Sequence, residues 1–371
     1  MEGTKPRTAS SIGMFDMLKG AGMLTIVFAH TAELYPMQAV SGLSLTAFFP
    51  FIYREALMAA FFIASGYGFR KRSIHKCIHQ QLKSLLKPYA YTALFTCVLH
   101  FIIHYRTFHY LPGTIGESIK VTGGFLLGLP HTAEYFGQEF FSCGPMWYLL
   151  ALMVGWVLLD VILNIFPERY VPWAVAGCVL LGWGASLVWE LPFCLIQGAV
   201  VVPYLYIGFL AKKKHLLDEP LPPKVFVGLL AATALIAVGS LATRTTDCIS
   251  LAEWSLGPLS IFLDGAAGLL FIRLFMRLSH GHGPIVHFLE AVGRRSLNIF
   301  CVHTVEIIAI PWYLMVAKFS AQPVLGMWLQ YAIALGSIWL VCELLRVRRA
   351  LIIRFFPAQR RTPAVRYTSR H

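Results

Sequence analysis

The chain has 371 residues, of which 57% are apolar and only 13% are charged, whereas soluble proteins carry roughly a quarter charged residues. This composition excludes an ordinary soluble protein, because one core would have to bury nearly the whole chain. The formal net charge of +13 does not indicate nucleic-acid binding, since the basic residues lie between apolar stretches and not on one soluble face.

Apolar stretches of about 20 residues recur along the chain, and each is long enough to cross a hydrocarbon core of about 30 Å as a helix. We predict an all-α, polytopic integral membrane helical bundle of about ten transmembrane helices, with a transmembrane domain over 1–345 and a basic cytoplasmic tail over 346–371. The predicted spans are 14–34, 44–69, 88–104, 146–166, 171–189, 192–211, 225–243, 257–276, 293–315 and 323–344.

The distribution of Lys and Arg predicts the orientation of these spans. If the N-terminus lies inside, Arg54 falls within a span and the outer segments hold only Arg106, Lys120, Arg244 and Lys318. The other basic residues lie on the cytoplasmic side, where they are normally retained. Both termini are therefore predicted to be cytoplasmic, in a multi-pass protein of the plasma or inner membrane.

The first span carries ionisable residues, which cost several kcal/mol in lipid unless they face protein or water. Lys19 and His30 are eleven residues apart, close to three helical turns, so we expect them on one face of the helix. Glu33 follows three residues later and can reach the same imidazole. These three residues are functional candidates.

The second span contains Arg54 and Ser65, again eleven residues apart, followed by Gly66 and Gly68, which allow close backbone approach. A basic stretch follows this span on the cytoplasmic side and is called the cationic mouth below. A buried guanidinium next to such a stretch suits a ligand that bears phosphates. A second interpretation is that Arg54 pairs with a helix carboxylate, and that the basic stretch sets topology or binds anionic lipid. The mouth begins with Arg70, Lys71 and Arg72.

Two further candidate sites lie at the start of the fourth span and in the middle of the ninth. Trp147 and Tyr148 begin the fourth span, and such a pair is typical of an interfacial anchor. His303 has a carboxylate, Glu306, three residues on within an apolar helix. It is a candidate for catalysis, or alternatively a histidine that only packs between helices.

The eight cysteines show no metal-ligand spacing, so we expect neither a metal site nor a disulfide framework. Cys143 and Cys248 both fall in predicted outer segments, where a bridge between them is an open alternative. Residues 106–141 contain only a short apolar piece, 123–130. We therefore expect an outer loop there, with a re-entrant or surface helix.

These stretches together resemble the membrane acyltransferase 3 family, and the resemblance covers most of the chain. Lys19 to His30 is similar to the family's basic-residue-x10-His signature, although many members have Arg at the first position. The segments from Arg54 to Gly66, Lys83 to Tyr89, Met146 to Leu149 and Ser296 to His303 resemble its later motifs in the same order.

The resemblance implies transfer of an acyl group, usually acetyl, from acetyl-CoA or another acyl-CoA to a carbohydrate or glycolipid acceptor of the cell envelope. His30 would be the base that takes the acceptor's proton, with Glu33 as its orienting carboxylate. Alternatively, His30 would first accept the acyl group itself. His303 and Glu306 would complete the catalytic site from another helix.

The acyl-CoA phosphates would lie near the basic residues of the first two spans. The predicted contacts are Lys19, Arg54, Ser65, Arg70, Lys71 and Arg72. Some family members carry a fused extracytoplasmic domain, which is not expected here, so any partner that finishes the transfer would be a separate extracytoplasmic protein. The rival function is a transporter or flippase of an anionic or lipid-linked solute, which would also use buried charges and a basic mouth.

Overall fold

The computed structural model describes residues 15–35, 51–218, 220–281 and 283–355, with side chains to 348. Three parts of the predicted elements lie outside these residues. They are position 14 of the first span, positions 44–50 of the second span and positions 356–371 of the tail. The last helix continues to Phe355, past the predicted start of the tail at 346.

Helices form most of the described chain, and the first half also contains two π-helical turns and one hairpin. The elements are α1 (Asp16–Glu33), a π-helical turn (Phe51–Ala56), α2 (Leu57–Tyr67), α3 (Ile74–Gln81), a second π-helical turn (Leu82–Leu86), α4 (Lys87–Phe108), α5 (Leu111–Leu127), β1 (Ala133–Tyr135) and β2 (Gln138–Phe140).

The second half consists of helices joined by connections, of which 244–257 contains an isolated antiparallel bridge between Cys248 and Glu253. A 3₁₀ turn (Gly144–Met146) leads into α6, and two further 3₁₀ turns (Glu168–Tyr170 and Pro192–Cys194) precede α7 and α8. The helices are α6 (Trp147–Ile165), α7 (Val171–Ser186), α8 (Leu195–Val200), α9 (Val202–Lys213), α10 (Pro223–Thr243), α11 (Pro258–Leu278), α12 (Pro284–Gly293), α13 (Ser296–Ala309), α14 (Tyr313–Lys318) and α15 (Pro323–Phe355).

Each predicted span contains a helix over its described residues. Five of the helices in the described chain are long and apolar enough to cross a membrane, and a sixth span results if the pair Pro192–Val200 and Val202–Lys213, bent by 51°, counts as one. Large apolar side chains face outward on several of them, such as Leu94 on α4 and Val227 on α10, as expected where lipid is the surrounding solvent. The protein is thus a multi-pass helical membrane protein.

Proline and glycine mark several helix ends. Pro112, Pro172 and Pro258 lie in the first turns of α5, α7 and α11, where the missing N–H has no intrahelical partner to lose. Gly128 follows α5 with φ of 61° and donates back to the last turn, which is the left-handed ending that glycine adopts without strain.

The stretch predicted as an outer loop is more regular than expected. Its helix, α5, begins at Leu111, well before the apolar piece that suggested it. After α5 the strands β1 and β2 pair antiparallel, with Ala133 opposite Phe140, around a turn in which Phe136 and Gly137 both have positive φ. A two-residue turn of this kind favours a hairpin.

Close helix crossings position the elements of the site. Gly66 on α2 faces Leu205 on α9, and a Cβ there would lie 2.2 Å from the Leu205 carbonyl oxygen. Gly293 at the end of α12 faces Asp16 on α1 in the same way, with a Cβ 1.8 Å from the Asp16 carbonyl oxygen. The predicted close approach at Gly66 is therefore confirmed, and α12 packs directly on the helix that carries Lys19 and His30.

Candidate active site

A cavity of about 290 Å³ lies where α1, the first π-helical turn and the starts of α6 and α13 meet. Its polar lining comes mainly from the first two predicted spans, and its remaining wall is largely apolar. The polar side chains are Lys19, His30, Glu33, Tyr53, Arg54, Tyr148, Ser250 and Ser296. Lys19 and His30 thus share one face of α1, as their spacing predicts.

Glu33 is the centre of the polar contacts in this cavity. Its Oε1 accepts hydrogen bonds from the Tyr53 hydroxyl and from Arg54 Nη2, the latter at 2.6 Å, and Arg54 Nε donates to the Tyr53 oxygen at 2.9 Å. Arg54 therefore does pair with a helix carboxylate, and it lines the cavity at the same time.

The predicted contact between Glu33 and His30 is looser than a hydrogen bond. Glu33 Oε2 lies 3.6 Å from His30 Nδ1, which is ion-pair range but too long for a hydrogen bond. Arg54 and Tyr53 are therefore the nearer partners of the carboxylate, and they hold it beside the imidazole.

His303 lies behind His30 and does not line the cavity. The two ring centroids are 5.5 Å apart with the planes tilted by 33°. His303 is only 1% exposed, and its Nδ1 lies 2.9 Å from Glu306 Oε2. Because an ionised carboxylate only accepts, Nδ1 donates this hydrogen bond. Within the described chain, His303 Nε2 has no hydrogen-bond partner.

The other predicted donor contacts are spread over several places. Lys19 lines the cavity and pairs with Asp16 at 2.7 Å. Ser65 is one contact away, since its Oγ lies 3.1 Å from the hydroxyl of Tyr148, which does line the cavity. These two residues belong to the cavity and its immediate support.

Arg70, Lys71 and Arg72 do not line this cavity. Lys71 lines a separate pocket between α6 and α9. The backbone N–H of Arg72 donates to the buried Asp160 carboxylate at 2.9 Å, which anchors the segment to α6. The structure therefore separates the predicted cationic mouth from the cluster around Glu33.

The interpretation of Trp147 and Tyr148 as an interfacial anchor is wrong. Trp147 is 9% exposed and packs in the core against Phe62, and Tyr148 contacts the same ring. A proline-started 3₁₀ turn, Gly144–Met146, turns this helix end into the bundle. Lipid therefore does not reach the pair.

The connection between α10 and α11 also reaches the cavity, through Cys248, Ile249, Ser250 and Leu251. All eight cysteines of the chain are free, so no bridge joins Cys143 to Cys248. Burial raises the pKa of the Cys248 thiol and that of the Asp247 carboxyl, because both charged forms are poorly solvated there. The Cys248 thiol is therefore protonated at neutral pH.

Sequence reasoning missed Tyr53, Tyr148 as a cavity residue, and the wall formed by 248–251. Tyr53 directly precedes Arg54, so its position beside a buried guanidinium was the one available signal. The wall is about two hundred residues from α1 in sequence, and nothing local indicates the contact. Among the described residues, no group of three or more His, Cys, Asp or Glu is arranged to hold a metal ion.

Residues 12–347 match the family model described as "Acyltransferase domain", that of the acyltransferase 3 family. The chain belongs to the acyltransferase 3 family. The match covers α1 through most of α15 and therefore includes every cavity-lining residue named above. No match was found among curated proteins or among solved structures.

Family membership makes this multi-pass membrane protein an acyltransferase. Acyl transfer needs a proton acceptor, a group that orients it, and positive or hydrogen-bonding groups for the developing oxyanion. The cavity offers His30 for the first role, and Lys19, Tyr53 and Arg54 for the last. It brings these side chains together from α1 and the first π-helical turn.

Proposed function

We propose that the protein transfers an acyl group, specifically acetyl, from cytoplasmic acyl-CoA to a hydroxyl of a cell-envelope carbohydrate or lipid-linked acceptor. The observation that supports this function is the presence of His30, Glu33 and Arg54 in one cavity of an acyltransferase domain. A neutral imidazole suits a base inside a membrane, because it carries no charge at rest.

In the proposed reaction His30 takes the proton of the acceptor hydroxyl as the oxygen attacks the thioester carbonyl. The tetrahedral intermediate places negative charge on the former carbonyl oxygen, where Arg54 or Lys19 stabilises it. The carbon–sulfur bond then breaks, and the departing thiolate takes the proton from the imidazolium. The products are the acyl ester and free CoA thiol, and His30 is neutral again.

Glu33 holds the base, His30, and the cation, Arg54, close to each other. Its Oε1 bonds Arg54 and Tyr53, and its Oε2 faces the His30 ring. The negative charge stabilises the imidazolium that forms during proton transfer. His303 lies against the His30 ring and Glu306 bonds His303, so in this proposal the two residues support His30 from behind the cavity and do not contact the substrate.

Donor binding is proposed to use the cavity cations first. Lys19 and Arg54 line the cavity and are suited to the phosphates or to the thioester carbonyl. Arg70, Lys71 and Arg72 would contact the more distant phosphates outside the cavity, and Ser65 would act through Tyr148. A protein partner beyond the membrane would receive or present the acceptor.

The proposed topology has ten spans and cytoplasmic termini in the plasma or inner membrane. It is supported by a helix in each predicted span and by the few basic residues in the alternate segments. Reporter fusions at the C-terminus and within 244–257 test it. Opposite locations for the two fusion points are expected, and equal locations would contradict the topology.

The central experiment incubates the purified protein in lipid nanodiscs with radiolabelled acetyl-CoA and an envelope glycan fraction. Release of free thiol together with label in the glycan is expected. Mass spectrometry of envelope glycans with and without the gene should show the loss of acetyl groups. Transport of a solute without thiol release would support the rival transporter function instead.

A further inference from the structure

The segment Asp247–Leu251, called the wall segment below, forms one side of the cavity through its last four residues. A tight turn shapes it. Cys248 N–H donates to the Glu253 carbonyl at 2.9 Å, Glu253 N–H donates back at 3.2 Å, and Leu251 N–H donates to the Cys248 carbonyl at 3.2 Å. The wall segment thus has a defined backbone without belonging to a helix.

Glu55 anchors this segment to the first π-helical turn. Its side chain is 1% exposed, and its Oε1 accepts from the Asp247 N–H and from the Ser240 hydroxyl, both at 2.9 Å. Glu55 directly follows Arg54 in the chain. One π-helical turn therefore supplies both the cation of the cavity and the anchor of its wall.

Further polar contacts close the turn behind the wall segment. Asp247 Oδ1 accepts from the Ser255 N–H, and Ser260 Oγ accepts from the Leu256 N–H at 2.8 Å. The buried carboxyl of Asp264 lies beside that of Asp247. Within the described residues, no ion pair joins the Glu55, Asp247 or Asp264 carboxyls to a Lys or Arg.

The other side of the wall segment is tied to the connection between α5 and β1. His131 Nδ1 lies 3.0 Å from the Ser250 carbonyl oxygen, which only accepts, so the imidazole donates this hydrogen bond. This hydrogen bond fixes the backbone of Ser250. The Ser250 hydroxyl oxygen lies 3.3 Å from the Cys248 sulfur.

We propose that Glu55 is a positioning residue that holds the wall segment against the cavity, and that this segment contacts the acyl acceptor. The second part rests on the proposed function. The Ser250 hydroxyl offers a hydrogen bond to a sugar hydroxyl, and Ile249 and Leu251 offer apolar contact to a ring face or a lipid chain. The proposed contacts of the donor are Lys19 and Arg54, and both residues lie on other elements of the cavity.

Replacing Glu55 with Ala removes the acceptor of two hydrogen bonds and leaves the Asp247 N–H unpaired. The wall segment should then open more often. Glu55→Gln keeps an oxygen where Oε1 lies and should restore both bonds. Glu55→Asp keeps the carboxyl group but is one methylene too short to reach both donors, so it provides a second test if Glu55→Ala does not fold.

Cys248 reports on the wall segment without any need for activity, since it is buried at 7% exposure. The test measures maleimide labelling of Cys248 in the full chain in nanodiscs, quantified by peptide mass spectrometry. Glu55→Ala or Glu55→Asp should increase its labelling rate about tenfold or more, the scale of a lost buried hydrogen-bond acceptor. Glu55→Gln should label at nearly the wild-type rate.

Two controls separate positioning from general loosening. Cys143, which is fully buried elsewhere in the core, should label as slowly as before. Thr233→Ala removes a hydroxyl from α10, the helix of Ser240, without touching this network, and should leave Cys248 labelling unchanged. Unchanged Cys248 labelling in Glu55→Ala and Glu55→Asp, or equal acceleration at Cys143, would overturn the positioning role.

Steady-state kinetics test whether the wall segment contacts the acyl acceptor. Glu55→Asp should raise the KM for the glycan acceptor more than the KM for acetyl-CoA, and Glu55→Gln should rescue it. Equal effects on both KM values would overturn the acceptor contact. If no transfer occurs in wild type, the proposed function fails, while the labelling result still decides the role of Glu55.

Discussion

The cluster around Glu33 and the network around Glu55 share one π-helical turn but differ in access and in charge. The Glu33 cluster faces a cavity and combines a carboxylate with Arg54 and Tyr53. The Glu55 network is closed, and its carboxyls bond hydroxyl and backbone N–H groups. Adjacent residues in the chain, Arg54 and Glu55, therefore serve different purposes.

The comparison teaches that a charged residue inside an apolar bundle does not by itself mark a substrate site. Burial requires partners in both places. Only the Glu33 cluster also offers space, a balancing cation and a base, His30, at its edge. Access to a cavity is thus the property that distinguishes a catalytic cluster from a structural one, and substitutions in the two regions should differ accordingly in their effect on transfer.

His30→Ala should reduce transfer by about 10²–10⁴-fold, the range for loss of a positioned general base. Membrane insertion should be unchanged, because the His30 side chain is partly exposed to the cavity and its ring contact with His303 is a small part of the packing of α1. Thiol release from acetyl-CoA measures the effect.

A matched control for this variant is His104→Ala, which removes a membrane-helix histidine that bonds Thr114 away from the cavity. It should retain nearly full activity. A fully active His30→Ala protein would remove the Glu33 cluster from catalysis.

Arg54→Lys should raise the KM for acetyl-CoA by about ten- to a hundredfold, as expected for loss of a charge-assisted hydrogen bond. Lysine keeps the charge but lacks the planar fork through which the guanidinium bonds Tyr53 with Nε and Glu33 with Nη2. Arg106→Lys, at an exposed position, is the matched control. An unchanged KM would assign Arg54 to structure alone, like Glu55.

Glu306→Gln should lower kcat by about three- to tenfold, the range for one intramolecular hydrogen bond, with both KM values unchanged. The amide no longer fixes the His303 tautomer as firmly, and the effect reaches His30 only through ring contact. A loss as large as that of His30→Ala would instead place His303 in direct contact with the reacting groups.

Lys71→Ala should change the KM for acetyl-CoA least, by less than about fivefold, because it lines a separate pocket and exposed charge contacts contribute little. The same assay measures it, with Lys19→Ala as the comparison inside the cavity. A larger effect for Lys71 than for Lys19 would show that the donor binds mainly outside the cavity.

Local spacing predicted the parts of the site that lie on one helix. The spacing of eleven positions from Lys19 to His30 correctly predicts one face, because a regular α-helix completes about three turns over that distance. The contact of Glu33 with Arg54 links two elements, and spacing cannot reveal it. The first π-helical turn also escaped prediction, since an inserted residue changes the helical register without a composition signal.

The fold shows the same difference between features that local sequence determines and contacts between distant elements. Apolar windows correctly predict helices in the spans, since hydropathy is local, but they do not predict α12, which lies almost entirely between the predicted spans 257–276 and 293–315. It is a short helix whose Gly293 permits direct packing on α1. Tyr148 was misinterpreted because an aromatic pair at a helix start has the same composition whether lipid or protein surrounds it.

The first π-helical turn also constrains which related chains can build this arrangement. Deleting Ala56 would restore regular α-helix at this point and rotate Arg54 and Glu55 by about 100° relative to α2. Arg54 and Glu55 would then no longer meet their partners together. We therefore expect conserved length in this stretch, even among family members whose individual side chains have diverged.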